Sequence, residues 1–152
     1  MKILAVIPAR AGSKGIPNKN IRIIGGHPLI YYSIKNALKS KMITDVIVST
    51  DSPEVKIIAE QMGAKIKWRD ASLCGDAVTL DAVVADAVPI NEHWDYIVTM
   101  QPTSPTLREL HWIMQLSIRL IMDWIQLSQQ LTHLIYPGER KMERRFLTIK
   151  ND

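Results

Sequence analysis

The chain contains a single cysteine, Cys74, among its 152 residues. An internal disulfide is therefore excluded, and a reducing cytoplasm fits. No apolar run approaches the roughly 20 residues that a membrane-spanning helix requires. The N-terminus leads directly into an apolar run, without the basic-then-apolar layout of a secretory signal. These two absences lead us to expect a cytoplasmic protein with no membrane partner. Aromatic residues make up only 6% of the chain and are not interleaved with cations, so the pattern of single-strand nucleic-acid binders is missing. Neither sign of charge dominates: 19 Lys and Arg against 15 Asp and Glu leave a formal +4. That balance suits an anionic small ligand and is too weak to argue for nucleic acid. The four histidines, His27, His93, His111 and His133, show no metal-ligand spacing.

What remains is an ordinary globular composition, 47% hydrophobic, and a length that suits one domain. Its most informative stretch is Ile7-Pro8-Ala9-Arg10-Ala11-Gly12-Ser13-Lys14-Gly15-Ile16-Pro17-Asn18-Lys19-Asn20. It follows Ile3-Leu4-Ala5-Val6-Ile7, a short apolar run of the kind that forms a buried strand. Gly12 and Gly15 permit a tight turn and a close approach to a ligand. Arg10, Lys14 and Lys19 add three cations with little bulk. A basic, glycine-containing loop after a first strand can hold phosphates. The spacing matches neither GxxxxGK[ST] nor GxGxxG, and by itself the loop could be a solvated basic turn.

The remaining pattern alternates between strand and helix. A short apolar segment over 21–24 ends at Gly25-Gly26. A helix is predicted over 29–40, opened by Pro28, with Leu29, Tyr32, Ile34 and Leu38 available to the core. A buried strand over 45–50 ends at Asp51, and a helix from Pro53 to about Met62 is stopped by Gly63. A third strand is predicted over 64–68, a small-residue helix over 78–88 and a buried strand over 96–100. This order implies right-handed βαβ units, a parallel sheet with helices on both faces, and ligands beyond the carboxyl ends of the strands.

The loop over 7–20 resembles the IPARxGSKxIPxKN signature of the sugar-activating cytidylyltransferases, above all the CMP-N-acylneuraminate (CMP-sialic acid) synthetases. The likeness continues in Ser49-Thr50-Asp51, in Arg69 with Leu73 and Asp76, and in Gln101-Pro102-Thr103-Ser104-Pro105. Thr106 is inserted before Leu107-Arg108, where the family usually reads PLR. The resemblance covers about residues 1–108 and implies a Rossmann-like nucleotidyltransferase fold.

It also implies an activity: CMP transfer from CTP to a nonulosonic acid of the sialic type, with release of pyrophosphate and use of Mg²⁺. Pseudaminic, legionaminic and Kdo acids are alternative substrates, and a non-catalytic nucleotide-binding fragment is a different class of reading. By resemblance, Arg10, Ser13, Lys14, Lys19 and Asn20 bind the CTP, with Arg10 and Lys19 also catalytic. Arg69, Asp76 and Thr79 lie near the base or ribose, although Asp76 or Thr79 could equally cap the next helix. Gln101 and Arg108 meet the sugar acid, whereas Asp51 reads more simply as a helix cap.

After residue 108 the character changes. Residues 109–152 carry Trp112, Trp124, a glutamine cluster and the basic pairs Arg140-Lys141 and Arg144-Arg145. An apolar helical period runs from Ile113 to Leu131. The family's acidic metal ligands, dimerisation segment and last strands have no counterpart in this stretch. Permitted codons for 111–134, read one base earlier, can give LDNAIKYSTYYGLDTVISAINTSY, and the continuation can give LSWGEKDGEKISYNKK. Both strings resemble the family's later half. The expectation is an out-of-frame tail, with the fold incomplete after about residue 108, activity impaired and the family's homodimer in doubt.

Overall fold

The computed structural model describes residues 1–12, 15–103 and 146–148. The chain opens with β1 (Ile3–Pro8) and returns through a small hairpin of β2 (Ile23–Ile24) and β3 (His27–Pro28) into α1 (Leu29–Lys39). Next come β4 (Asp45–Thr50), α2 (Pro53–Gln61), β5 (Lys65–Trp68), α3 (Leu80–Ala87) and β6 (Tyr96–Thr99). β7 (Phe146–Thr148) is the part of the tail that is described. The strands order β5-β4-β1-β6-β7, and every pairing is parallel. This is the parallel, doubly covered Rossmann-like sheet that the strand–helix alternation implies.

The faces follow from the two-residue period of a strand. Along β1, Ile3, Ala5 and Ile7 pack on one side with Ile30, Ile34 and Ala37 of α1 and Val55 and Ala59 of α2. Leu4 and Val6 pack on the other side with Val84 and Ala87 of α3. All five of these β1 side chains are fully buried. A strand buried on both faces has to read as a continuous apolar run, and β1 does.

Several local readings change. The stretch over 21–24 divides into the end of a 3₁₀ turn (Lys19–Ile21) and β2. Gly25 and Gly26, at φ 57° and 87°, make the two-residue turn of the hairpin, a geometry with positive φ at both positions. Pro28 opens α1 as expected, as its N-cap, whereas Ser40 is its C-cap rather than its last residue. α1 presents Leu29, Ile30, Ser33, Ile34 and Ala37 to the interior. Leu38, expected inward, is 42% exposed. Tyr32 is half-buried and turns to the hairpin, donating its hydroxyl to the Ile24 carbonyl. Ser52 rather than Asp51 caps α2, its Oγ accepting from the Val55 amide at 3.3 Å. α3 begins two residues later than expected because Thr79 caps it, accepting from the Ala82 amide at 3.3 Å.

Among the described residues, no helix is long and apolar enough to cross a membrane. The face assignment of α1 is testable. Ile34→Ala should cost about 3 kcal/mol in chemical denaturation of the full chain. Leu38→Ala should stay within about 0.5 kcal/mol. Equal losses would show that the helix faces the sheet differently.

Candidate functional site

The carboxyl ends of β1, β5 and β6 open into a cleft of about 590 Å³. Its construction starts at Arg69, one residue beyond β5, whose residue surface is only 4% exposed. Nε donates to Ser49 Oγ at 3.2 Å and Nη2 to the Ser49 carbonyl at 2.8 Å. The Arg69 amide also donates to the Thr50 carbonyl at 2.9 Å. Burial pulls the Arg69 guanidinium below its ordinary pKa, and the nearby Asp51 and Asp86 carboxylates push the other way. It remains a cation at neutral pH.

From that anchor the end of β4 grips the loop after β1. The Ser49 carbonyl also accepts from the Ala9 amide at 2.9 Å. Thr50 Oγ1 donates to the Ala9 carbonyl at 2.6 Å and accepts from the Ser52 amide at 3.0 Å. Asp51 Oδ1 accepts from the Ala11 amide at 2.7 Å. Ser49-Thr50-Asp51 thus acts as a clamp on the first loop, and Asp51 serves that loop instead of the α2 terminus.

Arg10, Lys19, Asn20, Arg69, Asp76 and Gln101 all line the cleft. Asn20 is 7% exposed. Its Nδ2 donates to the Arg10 carbonyl at 3.0 Å, while its Oδ1 is buried with no hydrogen-bond partner among the described residues. The preceding Asn18 holds a left-handed φ of 54°, and that turn directs the chain into the Lys19–Ile21 segment. Arg10 Nη1 donates to the Cys74 carbonyl at 3.2 Å and Nη2 to Asp76 Oδ1 at 2.6 Å. Lys19 is half-buried in the cleft wall, with no ion pair among the described residues. Gln101 is tied to α1 through its carbonyl, which accepts from Ser33 Oγ at 3.5 Å.

Thr79 caps α3, and its neighbours Val78 and Leu80 line the cleft instead. Ser13, Lys14 and Arg108 lie outside the described residues. The apolar wall of Ile16, Val78, Leu80 and Val83 was not legible in the sequence. Val83 shows why: a helix position with core character carries no sign that it also borders a cleft. Cys74 sits beside the Arg10–Asp76 contact, and burial, followed by its hydrogen bond to Asp51, raises its thiol pKa. Among the described residues, no group of three or more His, Cys, Asp or Glu could hold a metal ion.

The chain matches the family model described as cytidylyltransferase over residues 4–117. It is 42% identical over 110 residues to the CMP-N,N'-diacetyllegionaminic acid synthase of Legionella pneumophila, covering 69% of this chain and 47% of that protein. It is 35% identical over 138 residues to the N-acylneuraminate cytidylyltransferase of Escherichia coli, covering 91% of this chain and 33% of that one. Among solved structures, it superposes on a CMP:2-keto-3-deoxy-manno-octonic acid synthetase complexed with CTP. The TM-score is 0.60 at 28% identity, over 72% of this chain and 43% of the other. The chain thus spans less than half the length of these relatives.

The anchoring role of Arg69 predicts a stability loss. Arg69→Met should cost about 2 kcal/mol in chemical denaturation, because buried acceptors on Ser49 lose their charged donor. Ser49→Ala, which removes one acceptor and keeps the carbonyl bond, should cost about 1 kcal/mol. A neutral Arg69→Met would show that the guanidinium does not hold the strand ends together.

Proposed function

The chain belongs to the cytidylyltransferase family, and from that membership we propose that its cleft binds CTP and serves CMP transfer to a nonulosonic acid. The observation that carries this reading is the gathering of Arg10, Lys19, Asn20 and Gln101 around one cleft at the carboxyl ends of a parallel sheet. Ligands of such sheets bind in that place. Arg10 and Lys19 supply positive charge for the triphosphate, and Arg10 can offer a planar fork to two phosphate oxygens. The Asn20 Oδ1, buried without a protein partner among the described residues, can accept a hydrogen bond from a bound ligand. Gln101, exposed and lining the cleft, meets the acid substrate in this proposal.

In the proposed reaction the anomeric hydroxyl of the acid attacks the α-phosphorus of CTP. A new oxygen–phosphorus bond forms, the bond to the bridging oxygen of the β-phosphate breaks, and pyrophosphate departs with its electron pair. The hydroxyl proton passes to solvent. The protein contributes position and fixed positive charge, the main sources of rate in such transfers. The described residues offer no ligand set for the Mg²⁺ that the resemblance implies, and no step is assigned to it. The cytoplasmic location and the roles of Ser13, Lys14 and Arg108 stand as parts of the same proposal, which does not extend to the family's homodimer.

We also propose that residues 1–108 form the nucleotide-binding part and that 109–152 are an out-of-frame tail. The tail's expected properties lie outside the described residues, apart from β7. Resequencing across the codons for Arg108 to Trp112 tests this, and an unchanged sequence with stops throughout the neighbouring frame would overturn it.

The function is tested by calorimetric titration of the full chain with CTP and by pyrophosphate release with N-acylneuraminic, legionaminic, pseudaminic and Kdo acids as acceptors. Arg10→Ala and Lys19→Ala should each weaken CTP binding about tenfold or more, as expected for loss of a charge-assisted contact. Binding with turnover supports the transferase. Binding without turnover supports a nucleotide-binding fragment, and no CTP binding rejects both.

A further inference from the structure

We infer that Asp76 and Arg10 form a latch across the mouth of the cleft, which an incoming polyphosphate must open. The inference rests on the nucleotide reading of the cleft and adds a control element to it. The two residues line the same cleft from different segments: Arg10 from the loop after β1, Asp76 from the connection that leads into α3. Nη2 of Arg10 meets Asp76 Oδ1 at 2.6 Å, and Nη1 meets the Cys74 carbonyl at 3.2 Å. Both terminal nitrogens are thus engaged by one short turn, Cys74-Gly75-Asp76, and the plane of the guanidinium is set toward it.

The backbone of Arg10 cannot follow easily. Its carbonyl is held by Asn20 Nδ2 at 3.0 Å, and the amide of the next residue, Ala11, is held by Asp51 at 2.7 Å. Release therefore falls to the side chain. The guanidinium is 30% exposed and the Asp76 carboxylate 44% exposed, so their contact is one that a competing anion can reach. A phosphate that takes the guanidinium as a bidentate donor must displace the carboxylate, the carbonyl or both. Asp76 then opposes binding by occupying the donor and by repelling phosphate charge. Asp76 accordingly lowers the affinity of the cleft for any ligand that draws its phosphate oxygens onto Arg10.

The test compares CTP and CMP binding to the full chain, its Asp76→Asn variant, Arg10→Ala, and the double variant, by titration calorimetry at fixed salt. Thermal unfolding confirms that each variant folds. Asp76→Asn should tighten CTP binding about three- to fivefold, the scale of one exposed ion pair. CMP should gain no more than CTP, because the carboxylate repels its smaller charge less. In the Arg10→Ala background the substitution should do little. Weaker or unchanged CTP binding by Asp76→Asn overturns the latch while leaving the nucleotide reading intact. So does a gain that persists fully without Arg10, since it would come from general charge. Absence of CTP binding by the parent chain and by Asp76→Asn overturns both.

Discussion

A buried guanidinium governs the ligand end of this sheet. Arg69 leaves β5 and enters a space that is 4% exposed, where its fork binds both oxygens of Ser49. A desolvated cation must find strong acceptors, and these two fix the end of β4 relative to the end of β5. The fixed end of β4 then holds the loop after β1 through Ser49, Thr50 and Asp51. The cleft is therefore shaped by a chain of polar contacts that are largely complete before any ligand is considered. Preorganisation of this kind lets charge placed in a cleft act without the cost of rearrangement.

Within that frame the two cations of the cleft differ. Arg10 is committed to protein acceptors on Cys74 and Asp76, whereas Lys19 carries no ion pair among the described residues. An anion entering the cleft would meet Lys19 directly and would have to compete for Arg10. The apolar wall of Ile16, Val78, Leu80 and Val83 faces the same space, and an apolar side beside a cationic one matches the two ends of a nucleotide.

Much of the site was legible because its residues lie in short contiguous strings. Arg10, Lys19 and Asn20 follow β1 within one loop, and Gln101 follows β6. Contacts between strings were less legible. Asp51 reads as a cap for α2, yet Ser52 takes that role, and Asp51 reaches 40 residues back along the chain to Ala11. Thr79 reads as either a cap or a ligand contact, and the first is what its hydroxyl does. Leu38 fits the apolar period of α1 as well as Ala37 does. Which of the two is buried depends on how the helix lies on the sheet.

By itself the sequence determined the alternation of buried strands and amphipathic helices, and hence a parallel sheet with its ligand loops at one end. It also determined which loop carries the cations. These are local properties: periodicity, apolar runs and turn residues act over a few neighbouring positions. Tertiary structure alone decided that Arg69 anchors Ser49, that Asp51 clamps Ala11 and that Arg10 pairs with Asp76. Those pairs are separated by 20, 40 and 66 positions. No local propensity encodes them, because they exist only once the sheet brings the carboxyl ends of its strands together.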